Sequence, residues 1–213
     1  VKIVCSHTGV TVGEDGASAQ CLEDFAIMRV LPNIKVICPV DAIEARKATR
    51  AITAEFGPMY MRTSRAPLPV ITTESDPFVI GKANILREGK DVTLIACGIQ
   101  VSESLSAAEI LKKEGIEARV INMHTIKPID VEAIEKAAKE TGALVTAEEH
   151  QINGGLGSAV AEVLAQTTPA PLEMVAVRDS FGETGTPAQL LSKYGLKDVN
   201  IVEAAKKAIK RKK

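Results

Sequence analysis

His7, Glu14 and Asp15 stand in one short run, His7-Thr8-Gly9-Val10-Thr11-Val12-Gly13-Glu14-Asp15-Gly16. The run offers an imidazole that titrates near neutral pH and two carboxylates that accept hydrogen bonds. Such a set suits a ligand carrying hydroxyls and a phosphate, because the imidazole can donate to either and a carboxylate can accept from a hydroxyl. Gly9, Gly13 and Gly16 allow tight turns and close approach of a ligand. Farther along, Arg65 carries a guanidinium that can grip a phosphate through two parallel N–H bonds. Taken singly, each of these residues reads as an ordinary surface charge. Their interest lies in where the surrounding pattern puts them.

Val1 to Cys5 reads as a strand and Ser18 to Arg29 as a helix, with Leu22, Phe25 and Ala26 on its apolar face. The polar run therefore falls where a strand ends and a helix begins, which is where open α/β sheets bind ligands. Ile34 to Cys38 reads as a second strand, and Asp41 as the N-cap of a helix to about Phe56, with Glu44 completing a capping-box-like start. Met59 to Arg62 reads as a third strand ending at Thr63-Ser64-Arg65. In a parallel sheet, that places Arg65 on the same edge as His7.

Residues 66–77 hold Pro67, Pro69 and Pro77 among Thr72, Thr73 and Ser75, a linker composition. Beyond it, Phe78 to Ile80 and Ala83 to Leu86 suggest short or edge strands. Strands are then expected at 91–97, 118–121, 143–147 and 172–177, alternating with helices carrying Val101, Leu105 and Ala108, then Val131, Ile134 and Ala138, then Ala159, Val160, Val163 and Leu164. The alternation predicts an α/β protein of two three-layer α/β/α units with mostly parallel sheets. The units are 1–65, the first and incomplete one, and 78–213, joined by the linker at 66–77.

The 213 residues are 46% hydrophobic, 25% charged and only 3% aromatic, an aliphatic composition that can bury a core without metals or disulfides. A formal net charge of -1 offers no field for a nucleic-acid partner, and no apolar run is long enough to span a bilayer. Cys5, Cys21, Cys38 and Cys97 lack any zinc-like spacing and read as reduced, mostly buried thiols of a cytoplasmic protein. The chain opens inside a strand pattern and reads as part of a longer protein.

Other segments carry weaker signals. Gly154-Gly155-Leu156-Gly157 opens a helix as a phosphate cradle would, but Glu148 and Glu149 just before it would repel an anion, so close backbone packing is the expected role. Glu148, Glu149 and His150 are adjacent, and adjacent residues seldom converge on one metal. His124 reads as structural. The basic tail from Lys206 complements the carbonyl end of a terminal helix.

The order of motifs is more specific than any one of them. His7 with Gly13-Glu14-Asp15-Gly16-Ala17-Ser18, then Leu22-Glu23-Asp24, Arg29-Val30-Leu31-Pro32-Asn33 and Thr63-Ser64-Arg65, resembles the pyrimidine-binding domain of transketolases. Glu148-Glu149-His150-Gln151-Ile152-Asn153-Gly154-Gly155-Leu156-Gly157 and Phe181-Gly182-Glu183-Thr184-Gly185 are similar to the C-terminal domain of that family. The resemblance spans essentially the whole chain. It implies a thiamine diphosphate enzyme that moves a two-carbon ketol unit from a ketose phosphate to an aldose phosphate, His7 and Arg65 binding the sugar phosphate and Asp15 a substrate hydroxyl.

The resemblance also implies what lies elsewhere. The glutamate and aromatic residues that activate and cradle the aminopyrimidine belong ahead of Val1, and the diphosphate and its divalent metal (Mg or Ca) belong to a separate N-terminal domain or subunit. This chain alone is then expected to be inactive, to hold no metal and to bind no cofactor tightly. The complete enzyme would be a homodimer with active sites between protomers. Ala19 departs from the His or Gln common in the family and cannot make their polar contact. Two alternatives stay open: another thiamine-dependent relative, such as a deoxyxylulose-phosphate synthase or a 2-oxoacid dehydrogenase β subunit, or a non-catalytic assembly or binding module.

Overall fold

The computed structural model describes residues 1–212. Two sheets organise them. The first contains β1 (Lys2–Cys5), β2 (Lys35–Ile37) and β3 (Met59–Arg62) in the order β1-β3-β2, all parallel, and β2 takes an antiparallel neighbour from far along the chain, β7 (Thr125–Lys127). The second contains β4 (Asn84–Arg87), β5 (Val92–Ala96), β6 (Ala118–Asn122), β8 (Leu144–Gln151) and β9 (Leu172–Val177) in the order β4-β6-β5-β8-β9. Only β4 runs antiparallel in it.

Every residue of β5 and β6 is buried, because a central parallel strand is covered on both faces and needs a continuous apolar run. Helices α3 (Gln100–Lys113) and α7 (Asp198–Lys210) cover one face through Val101, Leu111, Ile201 and Ala205. Helices α4 (Val131–Thr141) and α5 (Leu156–Gln166) cover the other through Ile134, Ala137, Leu156 and Val160. That second core also takes in Phe25, Val36 and Tyr60 from the first sheet and its helix α1 (Asp24–Val30). Helix α2 (Ala42–Ala54) closes the opposite face over Ile37, Ala48, Ile52, Met59 and Met61. The two sheets thus share one core layer, and the α/β expectation holds.

Capping follows the chemistry of the side chains. Asp41 accepts the Glu44 amide at 2.8 Å and Asp130 accepts the Ala133 amide at 3.2 Å, each satisfying a donor that a helix N-terminus leaves free. Glu44 does not close a capping box, because its carboxylate reaches past the cap to the Val40 amide. Helix α6 (Pro187–Lys193), absent from the sequence reading, starts on a full capping box between Thr186 and Gln189.

Other expectations need correction. The first helix begins at Asp24 rather than Ser18, since the Cys21 and Leu22 carbonyls accept from Gly9 and Gln151 and cannot serve a helix there. Residues 78–80 form no strand, and Phe78 instead stacks on His124 with ring centres 4.3 Å apart. Val131, placed on the apolar face of α4, is exposed. Of the four free thiols, Cys38 and Cys97 are buried while Cys5 and Cys21 are half-buried. No helix among the described residues is long and apolar enough to cross a membrane.

Candidate functional site

β1 and β3 are in register, Cys5 opposite Arg62, and the Thr63 amide donates to the Cys5 carbonyl at 2.8 Å. Residues just past these strands therefore leave the sheet side by side. His7 is exposed with φ 62 and its Nδ1 lies 2.8 Å from Ser6 Oγ. A non-glycine residue in this left-handed region is uncommon, and a short polar neighbour helps to hold it. The chain then makes two 3-10 turns across Val10–Asp15, meeting at Gly13 with φ 82. Val10 and Val12 point into the core while Glu14 and Asp15 stay exposed.

Arg65 reaches across to this turn. Its Nη1 donates to the Val12 carbonyl at 2.8 Å and lies 3.3 Å from Glu14 Oε2, and its Nη2 lies 3.4 Å from Asp15 Oδ1. Arg65, Glu14 and Asp15 thus come together, while His7 shares their sheet edge and hydrogen-bonds none of them. These pairs are partly solvent-exposed, so each is worth at most about 1 kcal/mol and serves to orient the side chains. Two carboxylates thus flank the guanidinium. Ala19 is exposed in the segment that follows.

Beneath the turn lies a buried charge cluster that the sequence reading missed. Arg62 Nη1 donates to Asp24 Oδ1 at 2.9 Å, Tyr60 Oη donates to Asp24 Oδ2 at 2.8 Å, and Arg62 Nη2 donates to the Glu149 carbonyl at 3.0 Å. The Glu149 carboxylate lies 3.6 Å from Arg62 and accepts from both the Thr11 amide (3.0 Å) and the Thr11 hydroxyl (2.7 Å). Burial works against the Arg62 charge, yet Asp24 and Glu149 hold its pKa above the ordinary arginine value. Burial likewise raises the Glu149 carboxyl, against the pull of Arg62 and Thr11. One signal was available: an arginine ending the strand Met59-Tyr60-Met61-Arg62 needs a countercharge if that strand is buried.

The glycine-rich stretch at 154–157 is not a phosphate cradle. The Leu156 and Gly157 amides donate to the Glu148 carboxylate at 2.7 and 2.8 Å, so the protein's own anion fills the N-terminus of α5. A side chain at Gly155 would overlap that carboxylate, which is the close packing expected. His150 is buried, stacks 5.1 Å from Phe25 and has its Nδ1 2.7 Å from the Gln151 carbonyl, with Nε2 facing the Ala26 amide at 3.3 Å. His124 is fully buried, and burial lowers its pKa to about 4. Among the described residues no cluster of His, Cys, Asp and Glu could hold a metal ion.

The family model described as transketolase, pyrimidine binding domain matches residues 1–70, and that described as transketolase, C-terminal domain matches residues 81–201. The chain is 48% identical over 212 residues to the 6-deoxy-6-sulfo-D-fructose transketolase subunit SqwH of Clostridium sp. (strain MSTE9), covering 100% of this chain and 66% of the relative. It is 39% identical over 212 residues to an apulose-4-phosphate transketolase subunit of Phocaeicola vulgatus, covering 99% of this chain and 68% of the relative. A solved structure titled "Split gene transketolase, inactive beta4 tetramer" superposes with a TM-score of 0.91 at 44% identity, covering 100% of this chain and 67% of that one. The chain thus spans about two thirds of the length of these relatives. With both domain models matched in order and the fold in agreement, the chain belongs to the transketolase family.

Proposed function

We propose that this chain is the C-terminal section of a thiamine diphosphate-dependent transketolase, working with an N-terminal domain or subunit in a homodimer of the complete enzyme. The enzyme moves a two-carbon ketol unit from a ketose phosphate to an aldose phosphate in the cytoplasm. Residues 1–65 form the substrate-facing unit, 66–77 the linker and 78–213 the C-terminal unit. His7 and Arg65 bind the anionic end of the sugar, and Asp15 accepts a hydrogen bond from a hydroxyl. The observation that carries this reading is the meeting of Arg65 with Asp15 at the sheet edge it shares with His7.

The side chains fit the substrate better than the cofactor. The glycine-rich start of α5 is filled by Glu148, and the described residues hold no metal-binding cluster. In this reading the diphosphate and its Mg or Ca ion belong to the N-terminal partner, and the residues of this chain take no part in carbon transfer. What the chain supplies is recognition. Arg65 exchanges its contacts to Glu14 and Asp15 for the sugar's anion, and the released carboxylate becomes free to accept from a hydroxyl.

The names of the relatives define the test. One acts on a sulfonated sugar and one on a sugar phosphate, and a guanidinium pairs with either anion. The chain is reconstituted with a complementing N-terminal chain and assayed with xylulose 5-phosphate, 6-deoxy-6-sulfofructose and pyruvate as donors. Transfer from either anionic sugar, with KM raised about a hundredfold by Arg65→Ala, supports the reading, the loss corresponding to about 3 kcal/mol for one charge-assisted contact. Transfer from pyruvate alone overturns it in favour of another thiamine-dependent relative. A complex without turnover favours a binding or assembly module, a reading supported by Ala19. Residues 1–213 alone are expected neither to turn over nor to bind thiamine diphosphate with micromolar affinity in calorimetry.

A further inference from the structure

The turn that carries Asp15 belongs to the first sheet's edge, yet its firmest anchor comes from the second sheet. Glu149, near the end of β8, accepts both the amide and the hydroxyl of Thr11. A side chain at Gly9 would overlap both the Glu149 carboxylate and Arg62, so the backbone is drawn in against that anchor. Gln20 secures the turn from the far side, its Nε2 facing the Val10 and Gly13 carbonyls at 3.2 and 3.4 Å and the Glu183 carbonyl at 2.9 Å. Downstream in the same turn, the Val12 carbonyl is the shortest contact Arg65 makes. A displacement at Thr11 is therefore carried one residue on to the acceptor that aims Arg65, and to the carboxylate of Asp15.

We infer that Glu149 is a positioning residue for substrate recognition: its carboxylate, held in place by Arg62, fixes the Val10–Asp15 turn and thereby the reach of Asp15 and Arg65 toward the sugar. This rests on the substrate roles of Asp15 and Arg65 proposed above. Glu149 itself is buried under the turn. It acts through Thr11, and the two-unit architecture of the chain becomes a means of setting affinity at the first unit from the second.

The experiment uses the reconstituted two-chain enzyme and the variants Thr11→Val, Thr11→Ser and Glu149→Gln. Thr11→Val keeps the shape and the amide donor but removes the hydroxyl donor, while Thr11→Ser keeps both. Expected are a rise of about tenfold in donor KM with kcat within about threefold for Thr11→Val, and recovery to within about threefold of wild-type KM for Thr11→Ser. Glu149→Gln retains one acceptor oxygen but turns an amide toward Arg62, and is expected to raise KM by more than Thr11→Val does. Hydrogen exchange at the Thr11 amide, measured on the full chain, should accelerate in Glu149→Gln while the amides of β5 and β6 keep their wild-type rates. An unchanged KM with unchanged exchange overturns the inference. So does exchange that rises across β5 and β6 as well, which would make Glu149 a general support of the fold. If the wild-type complex transfers no ketol unit, the proposed function falls, and exchange at Thr11 still decides whether Glu149 holds the turn.

Discussion

At the scale of single residues, two buried titratable groups set opposite pH dependences. Glu44 is buried, accepts from Val40 N at 2.7 Å and Asn122 Nδ2 at 2.8 Å, and burial pushes its pKa up to about 7. A carboxyl raised in the folded state binds its proton more tightly there than when unfolded. Its stabilising contribution is full below the ordinary glutamate value and is lost as pH rises to about 7. His124, lowered to about 4 by burial, does the reverse: its contribution is present above the ordinary histidine value and lost as pH falls to about 4. The two slopes oppose each other through the mildly acidic range. Glu44→Gln should leave the His124 slope exposed, so that urea-unfolding stability falls on acidification from near pH 6.5 to 4 more steeply than in the wild type. Asn122 Oδ1 has no partner, and rotation of that amide would accept a bond from the new glutamine. A stability profile parallel to the wild type would show that Glu44 does not titrate in this window. The residue scale also marks where sequence reading stops. The placement of Arg65, Asp15 and His7 just past strand ends follows from local pattern, and the structure brings Arg65 to Asp15 but leaves His7 on Ser6. The cluster of Arg62, Asp24 and Glu149 does not follow from local pattern, because its members come from α1, β3 and β8 and meet only through the folding of both units.

At the scale of elements, the start of α5 depends on a fit between Glu148 and Gly155. The backbone at Gly155 has φ -83 and ψ -150, an extended conformation open to any residue, so glycine is required there for space alone. Gly155→Ala should displace Glu148, uncap the helix and cost about 1–3 kcal/mol, read as a fall in Tm. The cause can be isolated. In a Glu148→Ala background the added methyl meets no carboxylate, and Gly155→Ala should cost much less than it does alone. Equal costs in the two backgrounds would locate the penalty elsewhere, for instance at His150 Nδ1, 2.7 Å from the added carbon. Most elements were legible because their signals are local: apolar runs for β5 and β6, an Asp cap for α2. The start of α1 was not. Leu22, Phe25 and Ala26 have helical spacing, but the carbonyls of Cys21 and Leu22 are spent on distant amides, a competition that no local pattern reports.

At the scale of the whole molecule, β1 presents an open strand edge. Among the described residues it pairs only with β3, and Ile3 and Val4 beside its open edge are exposed. An open edge flanked by apolar side chains is a template for another strand. The chain without its N-terminal partner is therefore expected to self-associate with rising concentration in sedimentation velocity, and Val4→Lys should shift it toward the monomer. A wild-type chain that stays monomeric at high micromolar concentration would exclude this edge as an association surface. At this scale the α/β class and the parallel sheets were legible in the sequence, whereas the crossing of one sheet by a strand from the other half was not, three residues being too few to set a period. That strand, β7, has a temporal consequence. On a ribosome, β1, β2 and β3 emerge well before Thr125 is made, and β2 waits with its outer edge open until the chain has passed through β5, α3 and β6. The first sheet therefore gains its fourth strand long after its other three have been made, and the contacts that finish it are among the most non-local strand pairings in the chain. Topology of this kind slows folding, and it makes the first sheet dependent on β7 for its final edge.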